Sequence, residues 1–214
     1  MKNKAAIRLA AITLAAFAAC VDPTQGELGP FCPESHFLFE LVDGETAVRI
    51  TWYVGGGTDV RIPPYIRGLP VTEIWHWAFT DKLWEDRHEE WVFRNLTSVT
   101  IPSSVTRIGN FAFADNHLTS VAIPPGVATI EHAAFGGNKL TIVTIPDSVV
   151  HIEMWAFAEN RLASITIGGD VAIEESAPGL YDRFGDSFAR FYESQGRMAG
   201  TYTYSDGEWT FQPR

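Results

Sequence analysis

Cysteine, basic residues and long apolar runs are all scarce in this sequence, and each scarcity excludes something. Only two cysteines occur, Cys20 and Cys32. Two cannot make the multi-bridge framework of a small secreted domain or the four ligands of a structural zinc site. Lys and Arg number 16 against 26 Asp and Glu, a formal net charge of -10, with no basic cluster to offset it. Nucleic acid and anionic lipid surfaces both require a positive footprint, so neither is an expected partner. No later apolar run could span a bilayer as a helix. A Gly-x-Ser-x-Gly elbow, a Gly-rich dinucleotide loop and a His-Glu-x-x-His helix are missing, and His88-Glu89-Glu90 lacks the second His. The acids of Glu89-Glu90 and Glu174-Glu175 are adjacent in sequence, whereas glycosidase-type work needs two carboxyls facing each other across a bond. No enzymatic activity, metal or cofactor is expected.

The first nineteen residues stand apart. Lys2, Lys4 and Arg8 precede an uncharged, Ala-rich apolar run from Leu9 to Ala19. That is the pattern of a signal peptide. Phe17-Ala18-Ala19-Cys20 resembles a bacterial lipobox, which would make Cys20 a lipidation site, the favoured reading; Ala16-Phe17-Ala18 also fits the small-x-small site of ordinary secretion. The two readings differ in their chemistry. If Cys20 carries lipid, Cys32 is an unpaired thiol; if it does not, a Cys20–Cys32 disulfide can form in an oxidising compartment. The expected localisation is exported: a membrane-anchored lipoprotein, periplasmic or on the outer surface, or alternatively a secreted protein.

Val21 to Glu34 carries Pro23, Gly26, Gly29, Pro30 and Pro33 and reads as a tether. Beyond it, Phe37, Phe39 and Leu41 alternate, Asp43-Gly44 signals a turn, and Val48, Ile50 and Trp52 alternate again. This predicts a β-hairpin at the start of the folded part. Gly55-Gly56-Gly57 reads as a turn, because no P-loop Lys-Ser/Thr and no helix start follow it.

The strongest signal is an internal repeat of 22 residues. Leu96, Leu118, Leu140 and Leu162 share one phase; Val99, Val121, Val143 and Ile165 another; Ile101, Ile123, Ile145 and Ile167 a third. Pro102, Pro124 and Pro146, then Ile108, Ile130 and Ile152, Ala112-Phe113, Ala134-Phe135 and Ala156-Phe157, and finally Asn116, Asn138 and Asn160 complete the unit. A strict period of this size means a solenoid. An irregular earlier unit joins it: Ile62-Pro63, Ile74 and Ala78-Phe79 match, with five extra residues before Ile74 and twelve between Phe79 and Leu96. Leu-x-x-Val-x-Ile predicts a short strand whose last two apolar positions point inward while the residues between them point out. Proline then stops the strand, and Phe fills the middle of each coil. One coil cannot bury this face alone, so stacked coils share one column. The Asn positions are expected to satisfy loop backbone groups in a ladder between coils.

Leu118-Thr119-Ser120-Val121-Ala122-Ile123-Pro124 and Ala156-Phe157-Ala158-Glu159-Asn160 resemble the BspA-type, or treponemal, leucine-rich repeat, over about residues 60–169. The resemblance implies a horseshoe solenoid with a parallel concave sheet and an irregular or short-helical convex side, on exported bacterial surface proteins and lipoproteins, some of them adhesins. It carries over no binding site, because its signature residues are core residues.

Leu180, Tyr181, Phe184, Phe188, Phe191 and Tyr192 share a helical face, and Thr201–Tyr204 with Glu208–Phe211 flank Ser205-Asp206-Gly207 as a hairpin. The chain therefore divides into a signal peptide (1–19), a tether (20–35), an N-terminal β cap (36–61), leucine-rich repeats (62–169, with an insertion at 80–95) and a C-terminal helix-plus-hairpin cap (170–214). Two surfaces are candidates for recognition. One is the row of outward strand positions, including Ser98, Thr100, Ser120, Ile142, Thr144 and Thr166, where Ile142 is the apolar outlier among small residues. The other is aromatic: Trp84, Trp91 and Phe93 within the insertion, preceded by Trp75 and Trp77, with Trp75 at an exposed convex position. Aromatic clusters of this kind anchor interfaces, and they also cap coils by folding back. The expected partner is a protein or other macromolecule at the cell surface, with self-association into an envelope scaffold as the alternative, and with membrane contact only through a lipid anchor.

Overall fold

The computed structural model describes residues 31–80, 95–174 and 186–214. The folded part opens with β1 (Phe37–Val42) and β2 (Ala47–Tyr53), paired antiparallel with a bulge between Leu38 and Phe39. This is the hairpin expected from the alternating apolar residues. It does more than cover the first coil, since β2 pairs parallel with the first strand of one wall of the solenoid.

Two walls face each other across the core. One wall carries β3 (Asp59–Arg61), β6 (Ser98–Thr100), β9 (Ile142–Thr144) and β11 (Ser164–Ile167), which fall on the predicted Leu-x-x-Val-x-Ile segments and their earlier counterpart. The other carries β5 (Leu69–Ile74), β7 (Arg107–Ile108), β8 (Thr129–Ile130), β10 (His151–Ile152) and β12 (Ala172–Ile173), joined parallel in that order. This second wall was expected to be irregular or short-helical. After the six-residue β5 it consists of two-residue strands between tight turns, and no helix occurs in its described residues. A short β4 (Tyr65–Ile66) folds back on β5 and uses the five extra residues of the irregular unit.

The core follows from the repeat. Val99, Ile101, Val143, Ile145, Ile165 and Ile167 are buried from one wall, and Ile74, Ile108, Ile130 and Ile152 from the other. Phe79, Phe113, Phe135 and Phe157 stack along the axis with ring centroids 4.8, 5.4 and 5.5 Å apart, and Tyr53 of the hairpin continues the stack onto Phe79 at 5.4 Å. An equivalent ring in every coil makes the stack continuous, which is why a single coil would be unstable.

The Asn ladder is present. In each coil the Asn side chain accepts from the backbone N–H of the Leu that opens its unit: Leu96 to Asn116, Leu118 to Asn138, Leu140 to Asn160. Its amide donates to the Phe carbonyl of its own coil and to that of the coil before.

At the far end, α1 (Asp186–Ser194) packs Phe188, Ala189 and Tyr192 into the core. The Tyr192 hydroxyl donates to Gly168 O at 2.7 Å and accepts from Val171 N–H at 3.2 Å, tying the helix to the last coil. Burial pushes the phenol of Tyr192 up, and that of Tyr202 up to about 12. The hairpin of β13 (Gly200–Ser205) and β14 (Glu208–Pro213) is where the cap differs from a simple cover. β13 pairs antiparallel with β11, so the hairpin extends the first wall edge to edge.

Candidate functional surface

Because side chains alternate along a strand, burying Val and Ile on the inner side of the first wall forces the residues between them outward. Register sets these outward residues in two rows. In one, Asp59 stands beside Ser98, and Ile142, Ser164, Thr203 and Thr210 stand in sequence on successive strands. In the other, Arg61 stands beside Thr100, while Ala122, Thr144, Thr166, Thr201 and Gln212 follow one another. Ser120 shares the phase of Ser98 and Ile142. The six candidate residues Ser98, Thr100, Ser120, Ile142, Thr144 and Thr166 therefore lie on one surface. The first five are exposed and Thr166 is half-buried, its hydroxyl 3.1 Å from that of Thr201.

This face is neutral along its length. Its charges sit at the ends, as the Arg61–Asp59 pair at 3.4 Å and as Glu208 on the last strand. Ile142 lies between them and is 60% exposed, against 0% for Ile145 three residues on. The extension through Thr201, Thr203 and Thr210 was not anticipated. Its signal was in the sequence, since Thr201-Tyr202-Thr203 repeats the outward-inward-outward pattern of Ser164-Ile165-Thr166.

The second wall is a different surface. Arg49 donates to Glu73 at 2.6 Å, Arg107 donates to Glu131 at 2.6 Å and also approaches Glu73 at 3.9 Å. The Glu131 hydrogen bond, more than any other influence, raises the Arg107 guanidinium above its ordinary value. Trp75 does not stand exposed on this wall as its phase suggested. It is half-buried against two guanidiniums, Arg49 at 3.8 Å and Arg107 at 5.1 Å from the ring centre. Gly109 of the next coil lets the Trp75–His76 backbone approach closely. A Cβ on Gly109 would meet His76 N at 2.9 Å and the Trp75 backbone carbon at 3.0 Å. Trp77 is likewise engaged, stacked on Phe111 at 4.1 Å and 8°. Phe111 touches His132 at 5.1 Å, and His132 touches Trp155 at 5.1 Å. Trp77, Phe111, Ala133 and Trp155 hold one phase and one left-handed backbone conformation, so His132 closes the gap that Ala133 leaves in the column.

The rings of Trp75 and Trp77 are thus packed against cations and a neighbouring ring. Trp84, Trp91 and Phe93 lie outside the described residues, as do the signal segment and Cys20. His36 and His76 are both held below their ordinary value by burial; His76 accepts the Asn110 N–H on Nδ1 at 2.8 Å and therefore makes only a 3.6 Å contact, not a hydrogen bond, with Glu131. Of the scattered histidines, His151 pairs with Glu174 at 3.2 Å. Among the described residues no group of three or more His, Cys, Asp or Glu side chains is gathered to hold a metal, and no helix is long and apolar enough to cross a membrane. Cys32 is disulfide-bonded and buried against β3, where its Sγ accepts the Arg61 N–H at 3.2 Å.

Residues 90–177 match the model of the BspA type leucine rich repeat region, in six copies. No curated protein gives a significant match. Among solved structures, the chain is similar to a leucine rich repeat protein of T. pallidum at 22% identity, over 71% of this chain and 77% of that one, with a TM-score of 0.47. It is also similar to a leucine rich cell surface protein of Faecalibacterium prausnitzii A2-165 at 21% identity, over 82% of this chain and 59% of that one, with a TM-score of 0.25.

Proposed function

We propose, from the premise that this solenoid is built of BspA-type leucine-rich repeats, that the chain is an exported, adhesin-like recognition module that binds a macromolecule at the cell surface through the outer face of its first wall. The observation that carries the reading is the contrast between the two walls. On the second wall, Arg49, Arg107, Glu73 and Glu131 pair with one another, and Trp75 and Trp77 pack against cations and a neighbouring ring. On the first, the outward hydroxyls of Ser120 and Thr144 and the exposed Ile142 face solvent on a rigid, uncharged platform. Repeat proteins bind through extended surfaces of this kind. A neutral, hydroxyl-lined face suits a partner recognised by hydrogen bonding and close apolar contact, such as a glycan or a neutral protein surface.

Export is supported by the charged and then apolar segment that ends at Ala19, and by the Cys32 disulfide, which belongs to an oxidising compartment. Cys20 either carries lipid, which anchors the chain, or does not, which leaves the chain secreted. Fatty-acid labelling of cells expressing the wild type and Cys20→Ala separates the two: no label in either supports secretion, and label lost only in the variant supports the anchor.

The recognition reading is tested by binding of fluorescently labelled protein to intact cells and to arrayed surface glycans. The double variant Ile142→Arg, Thr144→Arg should lose most of the signal while keeping the wild-type melting temperature. Unchanged binding would move recognition off this face.

A further inference from the structure

A sheet ends in strands whose outer backbone groups have no partner, and such edges are templates for further pairing. This fold blunts its edges unequally. The β3 edge is occupied by Cys32, whose N–H donates to Arg61 O at 2.8 Å and whose sulfur accepts the Arg61 N–H. The β1 edge is broken by the bulge between Leu38 and Phe39, a device that disrupts pairing. β12 has only two residues. β14 differs from all three: it is six residues long, in unbroken register with β13, and terminal in its sheet among the described residues.

The direction of its free groups follows from one hydrogen bond. Tyr204 N–H donates to Ala163 O, so the even-numbered residues of β13 bond toward β11 and the odd-numbered ones toward β14. The hydrogen-bonded pairs of the hairpin are therefore Ser205 with Glu208, Thr203 with Thr210 and Thr201 with Gln212. Trp209, Phe211 and Pro213 lie between these pairs and aim their backbone away from the protein. Proline, which lacks an N–H, sits at one of the outward positions, where it removes a donor that the hairpin does not use.

We infer that β14 pairs with β14 of a second copy of this chain, antiparallel and about a two-fold axis at Thr210. Trp209 of each copy then exchanges both backbone hydrogen bonds with Phe211 of the other. Their rings, which lie on the side that packs Phe188 and Tyr202, come side by side across the seam. On the opposite side Glu208 faces Gln212, so no like charges meet. With the axis at Trp209 instead, Glu208 would face Thr210; with it at Phe211, Glu208 would face Arg214, but Pro213 would stand opposite Trp209 and cost that pair a hydrogen bond. Two-fold pairing also joins the β9-β11-β13-β14 sheets of both copies into one, with their outward hydroxyls on the same side.

The experiment is sedimentation of the folded chain together with site-directed cross-linking. The expected result is a concentration-dependent shift from monomer to dimer. Thr210→Cys, at an exposed position on the axis, should form an intermolecular disulfide on mild oxidation, while Thr203→Cys, equally exposed one strand inward, should not. Gln212→Glu sets two carboxylates opposite each other at two symmetric places and should weaken the dimer about fivefold; Gln212→Lys should strengthen it. Both changes are on exposed side chains and leave the fold intact. A strict monomer at high micromolar concentration overturns the inference, as does a dimer that Thr210→Cys fails to trap.

Discussion

The side-chain amide of Asn138 donates to the carbonyl of Phe113 in the preceding coil, 2.9 Å away. The same amide donates to Phe135 O in its own coil at 3.0 Å, and its oxygen accepts the Leu118 N–H at 3.0 Å. One buried residue thus satisfies backbone groups on two coils. Asn138→Leu fits the volume but leaves those groups without partners in a dry interior. Denaturant titration should show a loss of about 2–4 kcal/mol. An unchanged midpoint would show that the ladder contributes nothing.

Ile123 and Ile142 differ in exposure, 7% against 60%, and should differ in energetic role. Ile123→Ala opens a cavity between coils and should cost about 2–5 kcal/mol. Ile142→Ala should change stability by no more than about 0.5 kcal/mol. Equal costs would mean that Ile142 is a core residue and not part of a recognition face.

His76 sets a pH dependence. Burial, the dominant influence, holds it below 6.5, and the Asn110 N–H aimed at Nδ1 also requires the neutral ring; Glu131 acts the other way. As pH falls, the unfolded chain takes up this proton before the folded one. The contribution is therefore complete above about pH 6.5 and is lost as pH falls toward the folded value. Melting temperatures measured between about pH 7 and pH 5 should fall more steeply for the wild type than for His76→Gln. Parallel curves would remove His76 from the account.

Arg107 should matter more than the helical pair Arg197–Glu193. Arg107→Met leaves the nearly buried Glu131 carboxylate without its 2.6 Å partner and should cost about 1–3 kcal/mol in chemical denaturation. Arg197→Met removes an exposed i,i+4 pair that solvent screens and should leave stability nearly unchanged. The reverse order would mean that the charged ladder of the second wall is only decoration.

The regular coils were legible because each carries the same burial demand. An inward Val or Ile, a central Phe and a bridging Asn every 22 residues leave one way to stack. The surroundings of Trp75 were less legible. Its phase placed it outside, but phase says nothing of Arg49 and Arg107, which come from a hairpin and a later coil to lie against its ring. The route of the C-terminal hairpin was hidden for a related reason: alternation in Thr201–Tyr204 predicts a strand but not that its partner is Ser164–Ile167. The outward rows were readable as positions, because alternation dictates them. What they bind was not, because small hydroxyl side chains answer the demand for solubility as well as the demand for recognition.

The claim that recognition belongs to the first wall is tested most directly by photo-cross-linking in cells that express the protein. A benzophenone side chain is placed at Ile142 in one variant and at Val150 in another; both positions are exposed, at 60% and 61%, but Val150 lies beside the second wall. The account predicts a discrete high-mass adduct from position 142 and none from position 150. Adducts from position 150 alone would contradict it.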